Sequence, residues 1–285
     1  MQERQFAVNG YKLAAKEWHK AATIPVIALH GWLDNAASFD ELAPRLTQCH
    51  IVALDLPGHG LSDHKHEQAS YNIWDDLRDI LAVADTMGWQ QFHLLGHSRG
   101  AIMSVLLAAA VPERISSMLL LDAVFPPPFK VEESPQLLGR YLRGYNAFKS
   151  KNRPSYDNFE QALASRLKAM PMSEAGARKI VERGSITTAK GVEWRTDSRL
   201  TLSSAVKFSE AHTDAMMKAV SCPNLVILAK QGAVLKFNTL ERLQRYPHFN
   251  YHLLAGGHHF HMEAAVVEIS QLAAEFFVSH HTVEQ

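Results

Sequence analysis

The sequence predicts an α/β fold, a mostly parallel sheet flanked by helices, with an inserted helical segment. Short, wholly apolar runs of buried-strand length recur at Pro25-Val26-Ile27-Ala28-Leu29, Ile51-Val52-Ala53-Leu54 and Leu225-Val226-Ile227-Leu228. Stretches with helical spacing lie between such runs, and that alternation implies crossover connections over a parallel sheet. The rhythm stops at Phe125-Pro126-Pro127-Pro128 and resumes only at Asn224.

Taken in order, residues 5–8 and 12–18 read as two strands around Asn9-Gly10, a favoured hairpin dipeptide. Residues 37–46 have helical spacing, with Phe39, Leu42, Ala43 and Leu46 on one face. The run at 51–54 empties into Asp55-Leu56-Pro57-Gly58-His59-Gly60, a loop by its Pro and Gly content. The clearest amphipathic helix spans 71–87. Ile73, Trp74, Leu77, Ile80, Leu81 and Ala84 form its stripe, Asp75, Asp76, Arg78 and Asp79 lie mostly away from it, and Gly88 is its stop. A strand at 92–95, a turn at 96–100, a helix over 101–110 and a strand at 117–121 ending on Asp122 follow. These rules place a core domain at 1–124 and 214–285, and a helical cap at 125–213 with helix starts at Ser155 and Ser173 and a stop at Gly184. After the strand at 224–228, a helix at 239–245, a strand at 251–254 and a helix at 262–278 complete the pattern.

A chain of 285 residues suits one such domain with an insertion. Lys+Arg and Asp+Glu are 29 each with no basic tract, which argues against a nucleic-acid partner or an acidic membrane surface. The longest apolar stretch, 101–111, is about half of what crosses a bilayer. Two cysteines make a disulfide framework improbable, and a polar N-terminus lacks a secretory signal, so a cytoplasmic protein is expected. The expected partner is a small-molecule substrate, with no cofactor and no metal; oligomeric state is not set by the sequence.

Chemistry concentrates at Gly96-His97-Ser98-Arg99-Gly100. A strand runs into this Gly-x-Ser-x-Gly turn and a helix runs out, so Ser98 sits at a sharp tip beside a helix N-terminus. A serine hydroxyl needs a base to become a nucleophile. Gly256-Gly257-His258-His259-Phe260-His261 offers one on the same sheet edge: His258 is the first choice, with His259 and His261 as alternatives. A metal site built from these histidines lacks familiar ligand spacing. After the first apolar run comes His30-Gly31-Trp32, where the Trp32 N–H and that of Arg99 would form an oxyanion hole. Trp32 and Arg99 are also the candidate substrate-binding residues. The Arg99 guanidinium would either bind an acidic substrate group or pair with a carboxylate of the cap.

In order and spacing, His30-Gly31-Trp32, Asp55 to Gly60, Gly96 to Gly100 and Gly257-His258 resemble the α/β-hydrolase superfamily over nearly the whole chain. More narrowly, His30-Gly31-Trp32-Leu33-Asp34-Asn35-Ala36-Ala37-Ser38-Phe39-Asp40, Trp194-Arg195-Thr196-Asp197-Ser198-Arg199-Leu200 and His261-Met262 are similar to the serine hydrolase-like proteins. The resemblance implies an α/β-hydrolase fold and a Ser-acid-His triad, and leaves Asp55 as scaffold. Most members carry the acid after the strand that matches Leu225-Val226-Ile227-Leu228, but Gly232 stands about there. Asp122 is the candidate instead, since some members take the acid from that strand; Asp34 and Glu263 are lesser candidates. The alternative is that no acid remains and activity is weak or lost. Ester hydrolysis through an acyl-enzyme is the leading expectation, and carbon–carbon or thioester hydrolysis by the same triad, or non-catalytic ligand binding, are the alternatives.

Overall fold

The computed structural model describes residues 1–148 and 154–281, so 149–153 of the expected cap and 282–285 of the expected core lie outside the described residues. The chain opens with β1 (Gln2–Val8), β2 (Tyr11–Trp18), β3 (Ile24–Leu29) and β4 (Cys49–Leu54), then α1 (Ile73–Thr86), β5 (Phe92–His97), α2 (Arg99–Ala110) and β6 (Ile115–Leu121). The inserted segment carries α3 (Ser134–Phe148), β7 (Ser155–Tyr156), α4 (Phe159–Ala169), α5 (Glu174–Gly184), β8 (Ser185–Thr188) and β9 (Gly191–Trp194). Then come α6 (Glu210–Ala219), β10 (Asn224–Ala229), α7 (Thr239–Leu243), β11 (Asn250–Leu254) and α8 (Val266–Ser279).

The main sheet has the order β1-β2-β4-β3-β5-β6-β10-β11. Only the β1–β2 and β2–β4 pairings are antiparallel. Asn9 and Gly10, with φ of 49° and 90°, make the β1–β2 turn in which both central residues are left-handed. Alternate side chains of the parallel strands feed two cores. Ile27, Leu29, Val52, Leu54, Leu94 and Leu120 pack against α1 and α2. Val26, Ala28, Ile51, Ala53, Leu95 and Leu121 pack on the other face, against Phe39, Leu42 and α8. Runs without a polar residue are what a sheet buried on both faces requires.

Several local expectations change. The helix expected over 37–46 is two 3₁₀ turns, Ala36–Phe39 and Ala43–Arg45, because Pro44 has no N–H to donate and its ring blocks a continuous helix. Asp76 and Asp79 of α1 are buried rather than turned away. Asp76 meets Lys65 and Arg99; Asp79 accepts from Asn9 and the Tyr11 hydroxyl. In the insert, β7, β9 and β8 form a three-stranded antiparallel sheet that the helical reading lacked. Ser155 lies in β7, and α4 starts instead at Asn158, whose Oδ1 accepts from the Gln161 N–H at 3.0 Å. Ser173 does cap α5, accepting from Gly176 N–H at 3.2 Å, and α5 ends at Gly184. The expected boundary at 213 falls inside α6, whose Met217 belongs to the core shared with α2.

Ion pairs and hydrogen bonds tie the insert to the sheet and its loops. Arg183 of α5 binds Asp55 at 2.9 Å and reaches Glu3 of β1 at 2.8 Å. Asp197 accepts from Arg199 and from the Tyr71 hydroxyl at 2.9 Å, and its N–H donates to the Gly58 carbonyl. Asp55 also takes the Ala36 and Leu61 N–H groups, which fits its reading as scaffold. Cys49 and Cys222 are both free thiols. Among the described residues no helix is long and apolar enough to cross a membrane.

Candidate active site

Ser98 occupies the turn from β5 to α2 with φ 52° and ψ −115°, a conformation that side-chain-bearing residues rarely adopt. Its surroundings impose it. A Cβ at Gly100 would lie 2.0 Å from the Leu29 carbonyl oxygen, and one at Gly96 would lie 2.6 Å from the Ala101 backbone. Only glycine at both positions lets strand and helix approach this closely. The Ser98 N–H donates to the Leu121 carbonyl at 2.9 Å, which fixes the tip of the turn against the end of β6.

One residue further, Asp122 is fully buried with φ 46°. Its N–H donates to the Ile227 carbonyl at 2.9 Å, and its Oδ1 accepts the Ala229 N–H at 3.0 Å. Its Oδ2 lies 2.6 Å from His258 Nδ1, while His258 Nε2 lies 2.9 Å from Ser98 Oγ. A carboxylate only accepts, so Nδ1 carries the proton and Nε2 is free to accept from the serine hydroxyl. The structure therefore brings Ser98, His258 and Asp122 into one hydrogen-bonded line. Gly232 explains how the acid's usual loop bears on this line: a Cβ there would sit 2.3 Å from Asp122 Oδ1. The loop after β10 thus leaves the volume that the Asp122 carboxylate fills.

The alternatives are placed elsewhere. His259 Nε2 lies 3.0 Å from Asp34 Oδ2, and His261 Nε2 lies 2.8 Å from Ser38 Oγ. Glu263 accepts the Ser173 N–H at 2.6 Å, at the start of α5. Burial, together with neighbouring imidazoles, pushes His261 and His97 well below the ordinary histidine range. His30 holds the loop after β3, its Nδ1 2.7 Å from the Gly31 carbonyl and its Nε2 accepting from Leu56, and burial lowers it to about 4.

Arg99 directly follows Ser98, and Trp32 directly follows Gly31, where an added Cβ would lie 3.2 Å from Ser98 Cβ; among the described residues neither the Trp32 nor the Arg99 backbone N–H donates to a protein acceptor. Both side chains line a cavity of about 670 Å³, with Tyr71, Trp74 and Phe208 among its aromatic walls. The Trp32 indole donates to the Leu200 carbonyl at 3.0 Å, bridging to the insert. The Arg99 guanidinium pairs at 2.7 Å with Asp76 of α1, not with a carboxylate of the insert. Among the described residues its other terminal nitrogen meets just the Met103 sulfur, at 3.3 Å, so donor capacity remains toward the cavity.

Asp34, His97 and His259 each bring one possible metal-ligand atom within 4.8 Å of the others. Arg166 already binds Asp34, so a divalent ion would add two buried positive charges to a carboxylate that is neutralised. The cluster reads as hydrogen bonding rather than ligation. The sequence does not single out His97, whose place inside the Gly-x-Ser-x-Gly turn puts its ring 4.7 Å from that of His258.

The sequence profile of the alpha/beta hydrolase fold matches residues 24–265. A serine hydrolase-like protein of Dictyostelium discoideum is 32% identical over 275 residues, covering 90% of this chain and 76% of that one. Human serine hydrolase-like protein 2 is 34% identical over 206 residues, covering 70% of this chain and 65% of that one. Among solved structures, a hypothetical protein of Pseudomonas aeruginosa PAO1 superposes with a TM-score of 0.94 at 41% identity, covering 98% of this chain and 100% of that one. The thioesterase domain from the curacin biosynthetic pathway shares the fold, with a TM-score of 0.82 at 22% identity over 98% of this chain and 99% of that one. By its motifs, its sheet and these relatives, the chain belongs to the α/β-hydrolase superfamily, and serine hydrolase-like proteins are among its kin.

Proposed function

We propose that this protein is a serine hydrolase of carboxylic esters with small to medium acyl groups. What supports the reading above all is the His258 imidazole, 2.9 Å from Ser98 Oγ and 2.6 Å from Asp122 Oδ2. In this reading Ser98 Oγ attacks the ester carbonyl carbon as its proton passes to His258 Nε2. The carbonyl electron pair moves to oxygen, and the N–H groups of Trp32 and Arg99 receive that charge; each such donor is typically worth about 100- to 1000-fold in rate. Collapse breaks the ester C–O bond, and the alcohol leaves with the proton from His258. Water, losing a proton to His258, then attacks the acyl-Ser98 carbonyl. The acid departs, and the proton returns from His258 to Oγ.

In this reading the cavity lined by Trp32 and Arg99 receives the substrate and the insert acts as its cap; Ser98 and His258 are not among the side chains found to line it, so the acyl group would reach Ser98 past Trp32 and Arg99. No carboxylate is among the side chains found to line it, which suits neutral or anionic acyl groups. The free thiols suit a reducing, cytoplasmic setting. The non-catalytic reading started from a missing acid, and Asp122 supplies a partner for His258.

A fluorophosphonate probe tests the proposal: it is expected to label Ser98 and to leave Ser98→Ala unlabelled. Folded protein that resists the probe would sink it. A panel of esters and thioesters of rising chain length then sorts the substrate class. Gly232→Ala is expected to lower kcat by about ten- to hundredfold, because the added methyl displaces the Asp122 carboxylate and the base with it. An unchanged kcat on a chromogenic ester would show that the carboxylate's position is immaterial.

A further inference from the structure

Two consecutive loop residues, His258 and His259, are each held by a separate carboxylate. Asp122 takes the first and Asp34 the second. Asp34 Oδ2 lies 3.0 Å from His259 Nε2 and 3.7 Å from His97 Nδ1. At its other end, His97 Nε2 lies 2.9 Å from the backbone carbonyl of His258. A carbonyl only accepts, so His97 carries its proton on Nε2. Among the described residues its buried Nδ1 has no hydrogen-bond partner. Asp34, His97 and His259 are at most 2% exposed.

Asp34 is reached through Leu33, which takes a left-handed φ of 62°. Branched residues avoid that region unless their surroundings impose it. The other oxygen of Asp34 accepts from Arg166 of α4, in the insert. Burial alone would raise the Asp34 carboxyl, but His259 and Arg166 outweigh it and hold the group well below the usual carboxylate range. On the near side of His258, Gly256 has φ 129°, its N–H donates to Gln231 Oε1 at 2.8 Å and its carbonyl accepts the Gln231 N–H at 3.0 Å, so the loop after β10 holds that end. At His258 and His259 themselves the hold comes from the cluster, through the His258 carbonyl and the His259 ring.

We propose that Asp34 and His97 are positioning residues for His258: Asp34, anchored by Arg166, fixes His259, while His97 holds the His258 carbonyl. Asp122 sets the tautomer and tilt of the imidazole, and the Asp34 cluster sets where its backbone sits. The proposal rests on His258 being the base. It also makes the insert, through Arg166, part of what aims that base.

The test uses Asp34→Asn, His97→Leu and His97→Gln in the full chain, with active sites counted by fluorophosphonate labelling. Asp34→Asn and His97→Leu are expected to lower kcat per labelled site by about ten- to hundredfold with KM changed by no more than about threefold. His97→Gln keeps an N–H for the His258 carbonyl, and should stay within about fivefold of the unaltered protein. The downfield Nδ1–H proton resonance of His258 should broaden in the first two variants and persist in the third. A purely structural role would lower the melting temperature while kcat per site and the resonance stay put, and that result overturns the proposal. If Asp34→Asn does not fold, the contrast between the two His97 variants decides it. If the unaltered protein is not labelled, the hydrolase reading falls. The resonance then decides alone: broadening upholds the positioning role, and persistence in every variant overturns it.

Discussion

Asp122→Asn is expected to lower kcat by about 10⁴-fold while leaving the fold and KM nearly unchanged. The size is that of a Ser-His pair forced into the wrong tautomer, and the local hydrogen bonds show why it would be forced here. Ala229 donates its N–H to Asp122 Oδ1 at 3.0 Å, so an asparagine must keep its carbonyl oxygen there. Its amide nitrogen then faces His258 Nδ1, which has to become the acceptor. The imidazole proton moves to Nε2 and points at Ser98 Oγ, where a lone pair is needed. Steady-state kinetics on a chromogenic ester, with the rate of fluorophosphonate labelling, measures the loss. A decrease smaller than about tenfold would remove Asp122 from the reaction.

Acid is expected to unfold this protein steeply between about pH 6.5 and 5. His30, His59 and His93 are buried and neutral, held by desolvation at about 4, about 3 and about 3, and His97 and His261 are depressed as well. In the unfolded chain each would take a proton near pH 6.5. The unfolded state therefore binds more protons as pH falls below that value, and stability drops by about 1.4 kcal/mol per pH unit for each group until its folded pKa is reached. Three such groups give roughly 4 kcal/mol per unit, against a total stability of about 5–15 kcal/mol. Asp34 belongs to a later window: its carboxyl is depressed, so its contribution is lost only below about pH 4. Asp55, raised by burial, works in the opposite direction. Urea unfolding at half-unit pH steps reads the slope. A flat free energy from pH 7 to 5 contradicts the expectation, and His93→Leu, far along β5 from Ser98, should remove about one proton from the slope.

The sheet was legible because strands such as Pro25 to Leu29 are buried on both faces and carry no polar residue. Ser98 was legible because Gly96 and Gly100 mark a turn that no other residue fits. Where local signals were weak, the reading failed. The strands β8 and β9 are four residues each, too short for a period to show, and Pro44 was outweighed by the apolar face around it. Asp76 and Asp79 looked solvated because their partners, Lys65, Arg99, Asn9 and Tyr11, come from other elements. The role of His97 was invisible for the same reason: its partner is a backbone carbonyl far along the chain, and no side-chain pattern encodes it.

The pairing of β10 with β6 has a kinetic consequence. The two strands are joined through the whole insert, a connection of roughly a hundred residues. Its length adds little to the closure entropy, since each doubling costs only about 0.6 kcal/mol, but it makes the contact slow to form. Asp122 needs that contact twice, through the Ile227 carbonyl and the Ala229 N–H. On the proposed mechanism, a refolding molecule in which β1 to β6 have assembled holds Ser98 in its turn, yet lacks an oriented His258 and stays chemically silent. Recovery of the proposed esterase activity during refolding would therefore come no earlier than the docking of β10 and of the loop after β11 that carries His258.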